Sequence, residues 1–376
     1  MTMNRRRFLL DTGTTATAVL AGGLLARAAS AEEASPAAGK TRVAVIGFQH
    51  PHIWAIVAAL QARPDVEIVA ACEEDPVARE AIAKSGKIRL TDTDHRRLLA
   101  QPGIDAVVVG DAFGKRGRVI IDCLKSGRPV LCDKPLCTTL ADYQEIERLA
   151  REKNLVVSLM LTSREQGVFI KMRELAQGGD VGDVREITVT AEHPLKLEER
   201  PPWFHQAGGH GGTINDIGVH GFDLIPWITG LNFHRVTAAR VWKTKGIPEN
   251  SHFLNAGQAM LEMENGIGMA GSYAYVSPSS LGYTLPMYWR LTIWGGKGTI
   301  EGGYNYHEVM LYKEGAKAGR AVPNAPARPG ELLDSFLRQI RGQPGTSLTS
   351  AEAMRATWIS LKTQQAADQD LHDVVL

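Results

Sequence analysis

Two short segments carry residue types suited to moving a proton at a carbon–oxygen centre. In Pro129-Val130-Leu131-Cys132-Asp133-Lys134-Pro135-Leu136 a lysine follows an apolar run, at the carboxyl end of a strand, where open α/β sheets hold their ligands. A lysine there can hold a substrate hydroxyl or stabilise an alkoxide as it forms; taken alone, Lys-Pro after a strand reads equally as a turn. The second segment runs from Gly208 to Asp223 as GGHGGTINDIGVHGFD. Here a glycine-rich loop enters a helix on which Asp216, His220, Asp223 and Trp227 stand at i, i+4, i+7 and i+11, on one face. His220 is the natural base, because imidazole can take an alcohol proton near neutral pH while a carboxylate orients it. The plainer alternative makes Asp216 an acid favouring the helix N-terminus and His220 a satisfied core histidine.

A third segment concerns phosphate. Strand Val43-Ala44-Val45-Ile46 runs into Gly47-Phe48-Gln49-His50-Pro51-His52, where a dinucleotide fold shows G-x-G-x-x-G. The first glycine makes the turn, the second admits the pyrophosphate, and the third lets helix and strand pack closely. Only the first is present. The helix N-terminus remains an anion site, and the Gln49, His50 and His52 side chains can donate to phosphate. At the end of the next strand, Glu73 stands where an acid accepts from the adenosine ribose hydroxyls and repels a 2′-phosphate, which predicts NAD over NADP. The run Glu73-Glu74-Asp75 reads alternatively as an acidic cap for the helix after Pro76.

These residues need a scaffold of alternating elements. Strands are expected at Arg42 to Ile46, Val66 to Ala71, Ala106 to Val109, Pro129 to Leu131 and Leu155 to Leu159. Helices fit between them at Ile53 to Ala62, Val77 to Ser85, Arg118 to Ser126 and Leu140 to Lys153. After a helix near Glu165 to Ala176 strands follow one another: Val184 to Ala191, His234 to Lys243, Gln258 to Glu264, Gly268 to Tyr275, Trp289 to Trp294, Gly298 to Glu301 and Glu308 to Tyr312. A helix at Asp216 to Thr229 interrupts them, a Pro/Ala/Gly loop follows at Gly315 to Gly330, and helices at Glu331 to Arg341 and Ser350 to Ala366 end the chain.

The amino terminus reads as an address. Asn4-Arg5-Arg6-Arg7-Phe8-Leu9-Leu10 is a twin-arginine export signal, followed by an apolar stretch and a small-x-small cleavage site at Ala29-Ser30-Ala31. The apolar stretch falls short of the roughly 20 residues that span a bilayer, so the mature chain is expected to carry no membrane span. The expected organisation is a signal peptide at 1–31, a flexible lead-in at 32–40, a nucleotide-binding domain at 41–162 and a second domain at 163–376. With 42 Lys+Arg against 41 Asp+Glu, and a slightly acidic balance beyond the leader, nucleic acid is not an expected partner. Cys72, Cys123, Cys132 and Cys137 lack C-x-x-C spacing and read as buried free thiols, disulfides being the alternative in an oxidising compartment.

Asp-Lys-Pro after the strand, followed some 80 residues later by Gly-Gly-Thr and then Asp-x-Gly-x-His-x-x-Asp, resembles the family of glucose-fructose oxidoreductase and inositol dehydrogenase, Gfo/Idh/MocA. The likeness covers nearly all of the mature chain. It implies a Rossmann-type doubly wound parallel sheet plus a second α+β domain with a large, mostly antiparallel open sheet. It also implies oxidation of a sugar or polyol hydroxyl with a nicotinamide cofactor, here NAD. Carried over, Lys134 positions the oxygen, His220 takes the proton and Asp216 orients the group. The chain departs from the family after the third parallel strand, where Thr-Pro-Asn and a histidine become Asp111-Ala112-Phe113 and Arg116. Asp111 would then border the cofactor.

Arg164 is weighed as a substrate carboxylate or phosphate binder against a surface arginine. Asp223 is taken with it as lining the substrate site. His193, His205 and His210 lack ligand spacing, so substrate hydrogen bonding by His193 and His210 is preferred to a metal. Trp203 suits sugar stacking or core packing. Three readings follow: an exported oxidoreductase of a sugar, glycoside or cyclitol whose tightly bound NAD is recycled in place, an NAD-assisted glycoside hydrolase or lyase without net redox change, and a non-catalytic carbohydrate binder. Expected partners are the twin-arginine translocation machinery, a small carbohydrate or polyol, and a second or further copies in a homodimer or homotetramer.

Overall fold

The computed structural model describes residues 39–376. The signal peptide read at 1–31 and all but the last two residues of the lead-in at 32–40 lie outside the described residues.

Five strands, β1 (Thr41–Ile46), β2 (Val66–Cys72), β3 (Ala106–Val109), β4 (Val130–Cys132) and β5 (Val157–Leu159), form a parallel sheet in the order β2-β1-β3-β4-β5. A single parallel bridge from Cys72 to Asp92 extends it beyond β2. The dinucleotide order 3-2-1-4-5-6 is therefore present, with its third strand reduced to one bridge. Helices α1 (Ile53–Gln61), α2 (Pro76–Ser85), α3 (His95–Leu99), α4 (Phe113–Lys125) and α5 (Leu140–Glu152) accompany the sheet. Val43, Val45, Val107 and Val108 are fully buried, as central parallel strands between two helical layers must be. Short α3 has no counterpart in the sequence reading, and α4 begins five residues before the expected Arg118. Two glycines disguise that start. A Cβ on Gly114 would come 2.2 Å from the Gly208 carbonyl, and one on Gly117 would press on the Asp142 carboxyl.

The second sheet contains β6 (Val184–Pro194), β7 (Phe233–Trp242), β8 (Ala256–Met263), β9 (Gly268–Ser277), β10 (Arg290–Gly295), β11 (Gly298–Gly303), β12 (Glu308–Lys313), β13 (Arg320–Pro323) and β14 (Val374–Val375). Its order is β13-β12-β11-β10-β6-β9-β8-β7-β14, antiparallel except where β6 runs beside β9. Strand β13 lies within the stretch read as a loop, and β14 is a two-residue addition at the chain end. Along β6, Ile187, Val189 and Ala191 face inward while the residues between them face out, the period-2 pattern of a sheet covered on one side. Helices α6 (Gly167–Gln177) and α7 (Val219–Thr229) cover it through Phe169, Met172, Phe222 and Ile225.

Helices α8 (Glu331–Ile340) and α9 (Ser350–Gln369) return to the first sheet. Leu333, Phe336 and Leu337 pack with Val43, Val45 and Val108 on one face, and Ala353, Met354 and Leu361 with Ala44, Val107 and Val130 on the other. A capping box between Thr349 and Glu352 starts α9. All four cysteines are buried and free. Among the described residues no helix is long and apolar enough to cross a membrane.

Candidate active site

Asp216 and Lys134 meet where the two sheets approach. The segment expected to be a single α-helix from Asp216 opens as a π-turn, Ile214–Gly218, before α7. Its hydrogen bonds reach five residues back, a wider turn that recurs at functional sites. Asp216 sits in this turn with its side chain buried. Lys134 Nζ donates to Asp216 Oδ1 at 2.6 Å and to its carbonyl at 3.3 Å. Oδ2 meets His210 Nε2 at 3.1 Å and accepts from the Tyr275 hydroxyl. Burial pushes the carboxyl upward, but the Lys134 charge and the His210 and Lys134 bonds outweigh it and hold Asp216 well below the usual carboxylate range.

His220 follows on α7, its ring 5.4 Å from that of Trp289. Its Nδ1 is buried without a hydrogen-bond partner among the described residues. Burial first, then the positive charge of Lys134, holds its pKa well below 6.5, so the ring is neutral at neutral pH. His193 stands among Tyr275, Tyr288 and Trp289, and burial pushes it down to about 3. The chemistry available is a neutral imidazole beside a lysine whose ammonium is already paired. One can accept a proton while the other donates to oxygen.

Asp133, next to Lys134, fixes the phosphate-loop side chains. Its Oδ2 meets His50 Nδ1 and its Oδ1 meets His52 Nδ1 at 3.2 Å. Burial pushes His50 down to about 4 despite that carboxylate. Arg116 is wholly buried and donates to the carbonyls of Asp111, Asp133 and Pro135, tying the ends of β3 and β4 together. Asp133 and Tyr275 are members of this site to which the sequence assigned no role, and Arg116 is noted there only as a departure from the family. A lone tyrosine on an alternating strand gives no signal, whereas the arginine stands where the resemblance led us to expect a histidine.

Gly47 turns with φ +79°, and a Cβ there would lie 2.5 Å from Asp111 Cβ, so only glycine fits. Asp111 is buried, accepts from the Ala112 amide, and is pushed upward by burial. Glu73 departs from its expected role. Its carboxylate is 1% exposed and spent on the loop itself, accepting from the Phe48 amide at 2.7 Å, the Asp75 amide at 2.8 Å and Gln49 Nε2 at 3.4 Å. It braces the loop rather than facing a ribose. Asp75, which caps α2 through the Ala78 amide, lines the adjacent cleft instead.

That cleft measures about 820 Å³ and is walled by Phe48, Gln49, Trp54, α2 and the segment around Trp203 and Gly208. Its size falls within the range of small-molecule and cofactor sites. The glycine-only turn and the cleft opening from it fit a dinucleotide. Trp203 is 7% exposed and packs tilted against Phe113 and Phe204, ring centroids 4.7 and 4.5 Å away, sitting in the core while contributing to this wall.

Arg164 and Asp223 are placed elsewhere. Arg164 Nε and Nη2 grip both Asp223 oxygens at 2.6–3.1 Å, and Nη1 reaches Glu352 at 3.1 Å. The pair joins α7 to the start of α9 and leaves its guanidinium engaged, so neither residue stands on the Asp216 face. The wider π-turn rotates the residues after it away from the single stripe expected of a regular helix. The histidines weighed for a metal are also separately engaged: His205 with Ser251, His210 with Asp216 and His193 with aromatic rings.

Comparison with known proteins matches residues 41–161 to the oxidoreductase family described as an NAD-binding Rossmann fold, and residues 169–301 to the GFO/IDH/MocA C-terminal domain. The dTDP-3,4-didehydro-2,6-dideoxy-alpha-D-glucose 3-reductase of Saccharopolyspora spinosa is 28% identical over 63% of this chain and 66% of its own length. The myo-inositol 2-dehydrogenase of Thermotoga maritima is 26% identical over 39% of this chain and 42% of its own. The matched stretch thus spans just under two thirds of the first relative and less than half of the second. A solved structure from Thermotoga maritima, 24% identical, superposes with a TM-score of 0.77 over 89% of this chain and 100% of that one, and shows the same fold.

Proposed function

The chain belongs to the GFO/IDH/MocA oxidoreductase family, and from that premise we propose that it is an exported enzyme oxidising a hydroxyl of a sugar, glycoside or cyclitol with tightly held NAD. The observation that carries this reading is the Lys134–Asp216 ion pair beside a neutral His220. A bound nicotinamide would supply the acceptor for the hydride that leaves the carbon.

The chain's own residues do the rest. His220 takes the hydroxyl proton, for which its Nδ1 or the opposite ring nitrogen is unprotonated at neutral pH. Lys134 donates to the oxygen and stabilises the charge that develops there. Asp216, held by His210 and Tyr275, keeps the lysine aimed. The Asp75 carboxylate, which lines the cleft, disfavours a 2′-phosphate there, while Glu73 acts only by holding the loop amides. Export supports tight retention, since the twin-arginine route carries folded cargo and soluble NAD would not be replenished outside.

Purified protein is denatured and its supernatant assayed for NAD and NADP, and native protein is followed at the reduced-nicotinamide absorbance while sugars, glycosides and cyclitols are added. Released NAD with net substrate oxidation supports the proposal. Glycoside cleavage without net redox change, or no nucleotide and no turnover, overturns it. His220→Ala should lower kcat by about 10²–10⁴-fold while leaving bound nucleotide in place.

A further inference from the structure

His52, standing where the third loop glycine would be, and His50, two residues before it, both meet the carboxylate of Asp133, and the proposed oxidation uses none of these three groups. Strands β1 and β4 flank β3, so the loop after β1 and the end of β4 face each other across the switch point. Asp133 offers both oxygens from a wholly buried position, His50 is nearly buried, and the His52 side chain is 57% exposed. Both imidazoles turn Nδ1 to this carboxylate, and neither Nδ1 has another partner among the described residues. One ligand atom from each of the three lies within 4.8 Å of the others.

We propose that His50, His52 and Asp133 bind one divalent first-row transition cation, of the Zn²⁺ type, with a coordination position left open. Two neutral imidazoles and one carboxylate are a donor set that such cations favour. Tetrahedral ligands about 2.1 Å from a zinc ion stand about 3.4 Å apart, and His52 Nδ1 lies 3.2 Å from Asp133 Oδ1. Arg116 reaches the other oxygen, Oδ2, at 3.5 Å. The cation therefore draws on Oδ1, and Arg116 orients the carboxylate as an outer partner. The guanidinium charge opposes the cation, so the site is weaker than an anionic cage. Lys134 is the next residue after Asp133 and pairs with Asp216; a bound cation would thus sit beside the proposed catalytic lysine.

The test titrates untagged, metal-stripped protein with Co²⁺, read by visible ligand-field absorption and by calorimetry, with no need for turnover. Wild type is expected to bind one Co²⁺ per chain and to release it to Zn²⁺. His52→Ala removes an exposed side chain and should fold; Asp133→Asn is the second variant. In each, affinity should fall by more than about tenfold, the smallest effect typical of losing even an outer partner. Wild-type binding no tighter than that of His52→Ala overturns the site. So does Co²⁺ retained in both variants but lost in His95→Ala, which would place it at the Glu74, Asp94 and His95 group instead.

Discussion

Replacing Asp216 by asparagine tests the centre of the site without removing volume. In the wild type both charges are buried, Lys134 being 5% exposed and Asp216 not at all. The variant leaves the ammonium without its 2.6 Å partner. Breaking a buried pair from one side costs about 3–5 kcal/mol. The lysine can escape by losing its proton, and for an ordinary lysine this costs about 4.6 kcal/mol at pH 7 and about 1.9 kcal/mol at pH 9. The two figures agree at neutral pH, and the second sets a trend. An unfolded lysine binds a proton that the variant's folded state gives up, so the variant gains stability as pH rises, by up to about 1.4 kcal/mol per unit. Urea unfolding at pH 7, 8 and 9 should show the gap to wild type narrowing. The double variant Lys134→Met, Asp216→Asn should recover most of the stability and none of the turnover. A gap below about 1 kcal/mol at pH 7, unchanged at pH 9, would refute a desolvated ion pair. In acid the wild-type pair behaves oppositely. The folded carboxylate titrates below its unfolded value, so its stabilisation is complete above about pH 4 and is lost as pH falls towards the folded value.

Three further outcomes follow from the same geometry. Arg164→Met should lower stability by about 3–5 kcal/mol in urea unfolding while leaving KM for substrate unchanged; a large KM increase with intact stability would return Arg164 to the substrate site. His193 titrates at about 3 when folded and near 6.5 when unfolded, so the unfolded chain binds the extra proton and stability falls as pH drops below 6.5. Its share of the slope approaches about 1.4 kcal/mol per unit, and His193→Gln should flatten the curve between pH 6.5 and 5 by that amount. Phe336→Ala, in α8 against β1 and β3, should cost about 3–5 kcal/mol by calorimetry or urea; a change under 1 kcal/mol would mean that the helix is peripheral.

Much of the framework was legible from residue pattern. Runs such as Val43 to Ile46 and Val107 to Val109 are apolar without alternation and bounded by glycine, which leaves few alternatives to a buried parallel strand. The alternating residues of β6 likewise mark a half-covered sheet. The start of α4 was missed because Gly114 and Gly117 serve close packing, and propensity counts them against a helix. The catalytic candidates Lys134 and Asp216 were recognisable because their motifs survive. What pattern could not show was direction. Nothing local in the sequence marks the π-turn, so Asp223 was placed on the Asp216 face when it belongs to Arg164. Glu73 was read by position alone, and its carboxylate proved to be needed by the amides of its own loop. Partners 82 residues apart, as Lys134 and Asp216 are, become visible only when two domains close on each other.

The return of α8 and α9 to the first sheet makes folding a matter of timing. When a ribosome has delivered β5 and the nucleotide loop, the side chains that cover both faces of that sheet, Phe336 and Leu361 among them, are still untranslated. Val43 and Ala44 have only α1, α4 and α5 to cover them until the second sheet has been synthesised. The amino-terminal half is thus last to be completed although it is first to be made. Truncation beyond Gly330 would uncover both faces of the first sheet and would also take β14 and the α9 contacts from the second.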